Sequence, residues 1–389
     1  MEAFIVSAVR TPIGKYGRSF ANIPAQQLGS LVVKEAVKRA GIEFKDVDEV
    51  IMGNVIQAGL GQNPARQAAL MAGMSTGIAA FTVNKVCGSG LKAVMLAAQA
   101  IKAEDSDIIL AGGMESMSGA PYLLKGARFG LKYNNAVMYD AMLLDGLLDA
   151  YNDVHMIKTG EIVAERHKLT REEIDEFAYK SHMKAEEARR SKLFLREIVE
   201  VPTQSGSVYD DECIRADTTL DKLASLKPVL PDGKYVTAGN ASQLSDGASA
   251  LVIASRRKLK EMHLEPIAKI IAYNTVGVDP LLVMEAPIPG VRSLLSMVKM
   301  KIDDIDIVEH NEAYASASVV VRRELGIPED RFNIHGGAVA LGHPLGASGA
   351  RILTTLLYNL IERRGRYGIA TLCLGGGNAV SMLVENLRR

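Results

Sequence analysis

Two cysteines, a histidine and an asparagine, each set beside glycine or at the end of an apolar run, carry the chemistry this chain can do. Cys87 stands in Asn84-Lys85-Val86-Cys87-Gly88-Ser89-Gly90. Directly after it, Leu91, Val94, Met95, Ala98 and Ile101 repeat at helical spacing and mark one apolar face. A thiol at a helix N-terminus meets unpaired N–H groups and the positive end of the macrodipole, both of which favour thiolate. Cys87 therefore reads as a nucleophile, against the competing reading of a small buried hydrophobe.

His343 lies in the glycine-rich segment Gly336 to Gly349, ahead of a second helix pattern with Leu353, Leu356, Leu357 and Leu360. Cys373 ends an apolar strand run before Gly375-Gly376-Gly377, and Asn311 ends another in His310-Asn311-Glu312-Ala313-Tyr314. An imidazole within reach can take a proton from a thiol that attacks a thioester. A second thiol can remove a proton alpha to a thioester carbonyl, provided backbone N–H groups hold the enolate oxygen. Taken singly, each residue also fits a structural role: a core histidine, a strand cysteine, a strand-ending asparagine, a tight glycine turn.

Positioning these groups requires a repeated architecture. Asp46 to Asn54 is similar to Asp304 to Asn311, an acidic turn followed by a buried-strand run and a terminal asparagine. Gly88-Ser89-Gly90, its helix and the run Asp107 to Gly113 are similar to Ala347-Ser348-Gly349, its helix and Ile369 to Gly376, roughly 260 residues later. Near-continuous apolar strands alternating with helices predict an α/β protein whose sheets are covered on both faces. Two such halves bury a helix layer between two sheets. Ligands of α/β sheets bind at strand carboxyl ends, so Cys87, Asn311, His343 and Cys373 can meet at the junction.

The expected halves are residues 1–118 with about 248–265, and residues 266–389. Residues 119–247 fit neither and read as an inserted loop region that supplies substrate contacts. Its clearest helix starts at the capping box Thr170-Arg171-Glu172-Glu173.

Composition narrows the function class. At 389 residues the chain is long for one hydrophobic core. Forty-five basic and 45 acidic side chains cancel, which gives no global field toward nucleic acid or an anionic membrane. Three distant cysteines, Cys87, Cys213 and Cys373, form neither a disulfide framework nor a CxxC metal pair. The N-terminal stretch carries Glu2 where a signal peptide needs positive charge, and no run reaches membrane-spanning length. These features lead us to expect a cytoplasmic enzyme with no metal.

At this point the sequence resembles the thiolases. The matching blocks are Gly61 to Gln67, Asn84 to Gly90, Gly112 to Ser118, Gly239 to Ser242, Asn311 to Ala313, Gly336 to Arg351 and Cys373 to Gly377, spread over essentially the whole chain. The resemblance implies the layered αβαβα thiolase-like fold and a reversible Claisen condensation of two acetyl-CoA to acetoacetyl-CoA plus CoA. It implies that Cys87 is acylated, that His343 activates it, and that Cys373 is the general acid/base. Asn311 would hold a water in one oxyanion hole with His343, and the N–H groups of Cys87 and Gly375 would form the other. Leu147, His155, Met156, Arg215, Ser242, Ala313 and Tyr314 match substrate contacts. Acetyl-CoA, CoA and 3-ketoacyl-CoA are the implied partners, with no cofactor besides these thioesters, and a homodimer or homotetramer is the implied assembly.

His155-Met156 resembles the short-chain members, in which the methionine narrows the acyl pocket. The next residues depart from the family's usual Gly-x-Thr-Ala-Glu-Asn, reading Ile157-Lys158-Thr159-Gly160-Glu161-Ile162, and Tyr314 replaces a common phenylalanine. Asn378-Ala379 follows the triple glycine in place of Met-Gly, and Lys222 takes the place of a small polar residue near the coenzyme. His310 and Cys213 read as structural. Two other readings stay open: thiolysis of longer 3-ketoacyl-CoA in fatty-acid breakdown, and a catalytically idle scaffold of the same fold.

Overall fold

The computed structural model describes residues 2–389. Five strands form the first half-sheet: β1 (Ala3–Arg10), β2 (Glu49–Gly53), β3 (Ala79–Val83), β4 (Ile108–Ser116) and β5 (Ser245–Ser255), in the order β3-β2-β4-β5-β1. Four form the second: β6 (Ala268–Gly277), β7 (Ile307–His310), β8 (Tyr367–Leu374) and β9 (Asn378–Asn386), in the order β7-β8-β9-β6. The duplication seen in sequence is exact in pairing sense. β2 and β4 run parallel, followed by two antiparallel pairs, and β7 and β8 run parallel, followed by two antiparallel pairs. Where the first half has β3, the second has a single bridge between Val308 and Phe332. The halves join into one ladder where Phe4 and Ile5 of β1 pair with Lys269 and Ala268 of β6.

The longer helices are α1 (Ala25–Ala40), α2 (Pro64–Met71), α3 (Ser89–Ala103), α4 (Met156–Arg166), α5 (Arg171–Arg190), α6 (Pro287–Val298), α7 (Ala315–Leu325) and α8 (Leu345–Arg363). The apolar stripes that announced α3 and α8 in sequence face each other and the inner sides of both half-sheets, in one buried cluster containing Leu91, Met95, Ile101, Leu353 and Leu357. Burying each such side chain contributes roughly 1.5–3 kcal/mol. Tertiary burial, more than helix propensity, therefore holds this layer. Leu28 and Val32 of α1 cover the outer face of the first half, and Val291 of α6 and Val320 of α7 cover that of the second. The result is the five-layer order helix, sheet, helix, sheet, helix.

Glycine sets how closely the central helices meet. A Cβ on Gly90 would lie 2.8 Å from the Ala350 nitrogen, and one on Gly349 would lie 2.4 Å from the Leu91 nitrogen. The two helix starts, and the loops that precede them, therefore touch backbone to backbone. That contact brings Cys87 and His343 to one place. Between β4 and β5 lie α4, α5 and small hairpins such as Tyr122–Leu124 with Met138–Asp140. The Thr170 capping box forms: Glu173 donates its N–H to Thr170 Oγ1 at 3.2 Å, and Thr170 donates its N–H to Glu173 Oε2 at 2.8 Å. Among the described residues, no helix is long and apolar enough to cross a membrane.

Candidate active site

Cys87 sits on a sharp strand-to-helix turn between β3 and α3. Val86 takes φ +47°, a left-handed conformation that costs a β-branched residue free energy. Local hydrogen bonds hold the turn. Val86 donates its N–H to Asn84 Oδ1 at 2.9 Å, while Ser89 Oγ accepts from the Lys85 N–H at 2.8 Å and donates to the Val86 carbonyl at 2.6 Å. Gly88 lets this turn press onto the end of β8, since a Cβ there would lie 2.5 Å from Leu374 Cδ2. Cys87 and Gly375 are neighbours for that reason.

In the free protein, burial pushes the Cys87 thiol up to about 12, while the N–H groups of Gly375 and of Cys87 itself pull it down. The expectation of a thiolate stabilised by the helix start is thus reversed, because desolvation outweighs the field of the helix end. The same two N–H groups are arranged to stabilise a negative charge at this spot. They can serve an oxyanion as well as a sulfur.

His343 follows Gly342, which has φ +104°, and donates its backbone N–H to the Gln243 carbonyl at 3.0 Å. Its Nδ1 lies 2.5 Å from Ser348 Oγ, whose hydroxyl donates to the Pro344 carbonyl at 2.9 Å. With its single proton so used, Ser348 accepts from Nδ1–H, which leaves Nε2 as the basic nitrogen. Burial, aided by the Arg351 charge, pushes the imidazole down to about 3, so it is neutral at neutral pH. Asn311 Nδ2 lies 3.3 Å from Nε2. The loop carrying Asn311 is clamped by Glu312, which accepts from Ser181 Oγ at 2.7 Å, Asn333 Nδ2 at 2.7 Å and the Val339 N–H at 3.1 Å.

Cys373 is buried on β8, 3.7 Å from Met284 Sδ. Burial pushes its thiol up to about 12, with the Cys87 sulfur as the next cause. Cys87, His343, Cys373 and Gly375 line a cavity of about 40 Å³ together with Leu147, Met156, Ser242, Ala313 and Tyr314. A volume of that size holds roughly three waters. A cavity of that size suits a small acyl group.

Three of the sequence-identified residues do not line the cavity, the first of them Asn311, which meets it through His343. His155 caps α4, its Nδ1 accepting from the Ile157 N–H at 3.0 Å, and does not line the cavity. Arg215 reaches the Ala238 carbonyl at 3.3 Å and also lies off the cavity. His310 is stacked on Phe332 with its Nδ1 3.0 Å from Ser318 Oγ, and Cys213 is buried 3.9 Å from Ser245 Oγ. Lys222 pairs with Asp217 at 2.7 Å on the surface.

Sequence reasoning missed Ser348, whose signal is its position five residues after His343. It also gave no role to Glu115, which accepts from the N–H groups of Val55, Ile56 and Gly346 and from Asn54 Nδ2. That carboxyl ties the loop after β2 to the start of α8. Val283 and Met284, which complete the cavity, come from a short helical turn with no distinguishing pattern.

Residues 3–257 match the N-terminal domain of thiolase, and residues 264–386 match its C-terminal domain. The chain belongs to the thiolase family. It is 48% identical to an acetyl-CoA acetyltransferase of Cupriavidus necator over 99% of both chains, and 47% identical to one of Pseudomonas aeruginosa over 98% of both. A probable acetyl-CoA acyltransferase of Staphylococcus epidermidis is 46% identical over 98% of both chains. The crystal structure of the Bacillus anthracis acetyl-CoA acetyltransferase superposes with a TM-score of 0.96 at 41% identity, covering 99% of each chain.

Proposed function

We propose that this protein is an acyltransferase that catalyses the reversible condensation of two acetyl-CoA to acetoacetyl-CoA and CoA. The observation that carries the reading is the meeting of two thiols, a neutral imidazole and two backbone N–H groups around one cavity of about 40 Å³. Support for the short acyl group comes from that volume and from the names of the relatives.

In the first half-reaction, His343 Nε2 takes the Cys87 proton as the sulfur attacks the thioester carbon. The oxyanion forms against the N–H groups of Cys87 and Gly375, the bond to the coenzyme sulfur breaks, and CoA leaves with the proton from His343. In the second, Cys373 passes its proton to His343 Nε2 and, as the thiolate, removes a proton from the methyl carbon of another acetyl-CoA, whose enolate oxygen accepts from His343 Nε2–H and from a water on Asn311. The enolate carbon attacks the acyl-Cys87 carbonyl, the thioester bond to Cys87 breaks as its sulfur takes the proton from His343, and acetoacetyl-CoA is released. Thiolysis uses the same groups in reverse. No cofactor besides the CoA thioesters enters these steps.

We infer that Ser242 and Leu147 meet the pantetheine arm, and that Arg215 and His155 lie along the coenzyme, where a guanidinium suits phosphate. A panel of 3-ketoacyl-CoA substrates of rising length tests the assignment. The highest kcat/KM is expected for acetoacetyl-CoA, and a preference for longer chains would replace this reading with the degradative one, for which the acyltransferase name of the Staphylococcus relative speaks.

We also infer a homodimer or homotetramer. β3 is the outer edge of its half-sheet, and the arm between β4 and α4 exposes Phe129 at 86% and Tyr133 at 95%. Light scattering is expected to give a multiple of 41.9 kDa, and a single-chain mass would contradict it. The need to keep Cys87 and Cys373 as free thiols favours a reducing compartment such as the cytoplasm.

A further inference from the structure

Tyr314 stands immediately before α7 and is only 7% exposed, yet it borders the acyl cavity. Its ring is seated by Gly160 of α4: a Cβ at that position would lie 3.0 Å from Tyr314 Cγ and 3.1 Å from Cδ2. Its backbone is fixed by a bridge to Ala241. The hydroxyl has no hydrogen-bond partner among the described residues, and the charged forms it faces are those of the Cys87 and Cys373 thiols. Met156, Val283 and Met284 share its buried apolar cluster and line the cavity with it. A tyrosine in a buried position ordinarily uses its hydroxyl in a hydrogen bond, so one left unpaired beside the cavity is free to meet a ligand oxygen.

We propose that Tyr314 Oη is a specificity-determining donor that bonds an oxygen carried on the acyl group beyond its reacting carbonyl. The pocket then takes small hydroxy- or oxo-substituted acyl thioesters in preference to alkyl groups of the same size. A hydroxyl on the acyl chain satisfies Tyr314, whereas a methyl in the same place buries it unpaired. Sites built to hydrogen-bond a substrate discriminate strongly against the analogue that lacks the group. The proposal rests on the acyl-transfer reading above, since the acyl group in question is the one delivered to Cys87.

Hydroxyacetyl-CoA and propionyl-CoA differ by a hydroxyl in place of a methyl, and each can acylate Cys87. In that step the Cys87 sulfur bonds the carbonyl carbon, the bond to the coenzyme sulfur breaks, and CoA leaves carrying the proton relayed by His343. Single-turnover release of CoA from both donors, and from acetyl-CoA, is measured for the unaltered protein and for Tyr314→Phe, which keeps the ring. The expected result is a preference for hydroxyacetyl over propionyl of roughly tenfold that falls to unity or inverts in the phenylalanine variant. A ratio that is the same in both proteins overturns the role of Tyr314 while leaving acyl transfer standing. Failure of acetyl-CoA itself to release CoA from the unaltered protein overturns both.

Discussion

Cys87→Ser is expected to lower the rate of acetoacetyl-CoA cleavage by CoA at least about 10⁴-fold, a loss of about 5.5 kcal/mol of transition-state stabilisation. The size follows from the site. His343, held down to about 3 by burial and Arg351, is a weak base that can draw a proton from a thiol as the sulfur attacks, but hardly from a hydroxyl of far higher pKa. Serine also places a shorter bond and a smaller atom where the N–H groups of Gly375 and Cys87 point. The measurement is the steady-state loss of acetoacetyl-CoA. Activity within tenfold of the unaltered protein would exclude Cys87 as the acyl carrier.

Cys373→Ser is expected to separate the half-reactions. Enolate formation should fall by about 10²–10⁴-fold, the usual weight of a positioned base. Transfer of an acetyl group to Cys87 should persist, because its proton passes through His343. Deuterium exchange into the methyl group of acetyl-CoA reads the base directly. Exchange at the original rate would assign that proton transfer to another group. Cys373 lies against Met284 in a site with its thiol pushed up to about 12, so its neutral form prevails until substrate arrives.

The architecture was legible because the same landmarks recur in both halves: an acidic turn, an apolar strand, a glycine-led helix. The α3 and α8 stripes gave the central layer, while the close approach of its two helices at Gly90 and Gly349 is seen only in the structure. What was not legible depends on contacts from distant segments. The field of a helix start could be read beside Cys87, but its desolvation comes from β8 and the loops folded over it, and burial decides the balance. The left-handed Val86 has no signature, since a β-branched residue is the last choice for that conformation. His155 was singled out beside Met156, yet its ring caps the helix on which Met156 faces the cavity. Glu115 and Ser348 do their work by holding backbone and imidazole in place: Ser348 had its place five residues after His343 as a signal, and nothing in the spacing of Glu115 separates it from other buried polar residues.

The most direct test is to mix the protein with acetyl-CoA in the absence of free CoA, quench in acid and locate the acetyl group by tandem mass spectrometry. The expected result is a single acetyl thioester on the peptide containing Cys87, removed on addition of CoA. An acetyl group on Cys373, or an unmodified Cys87, would contradict the mechanism proposed for this site.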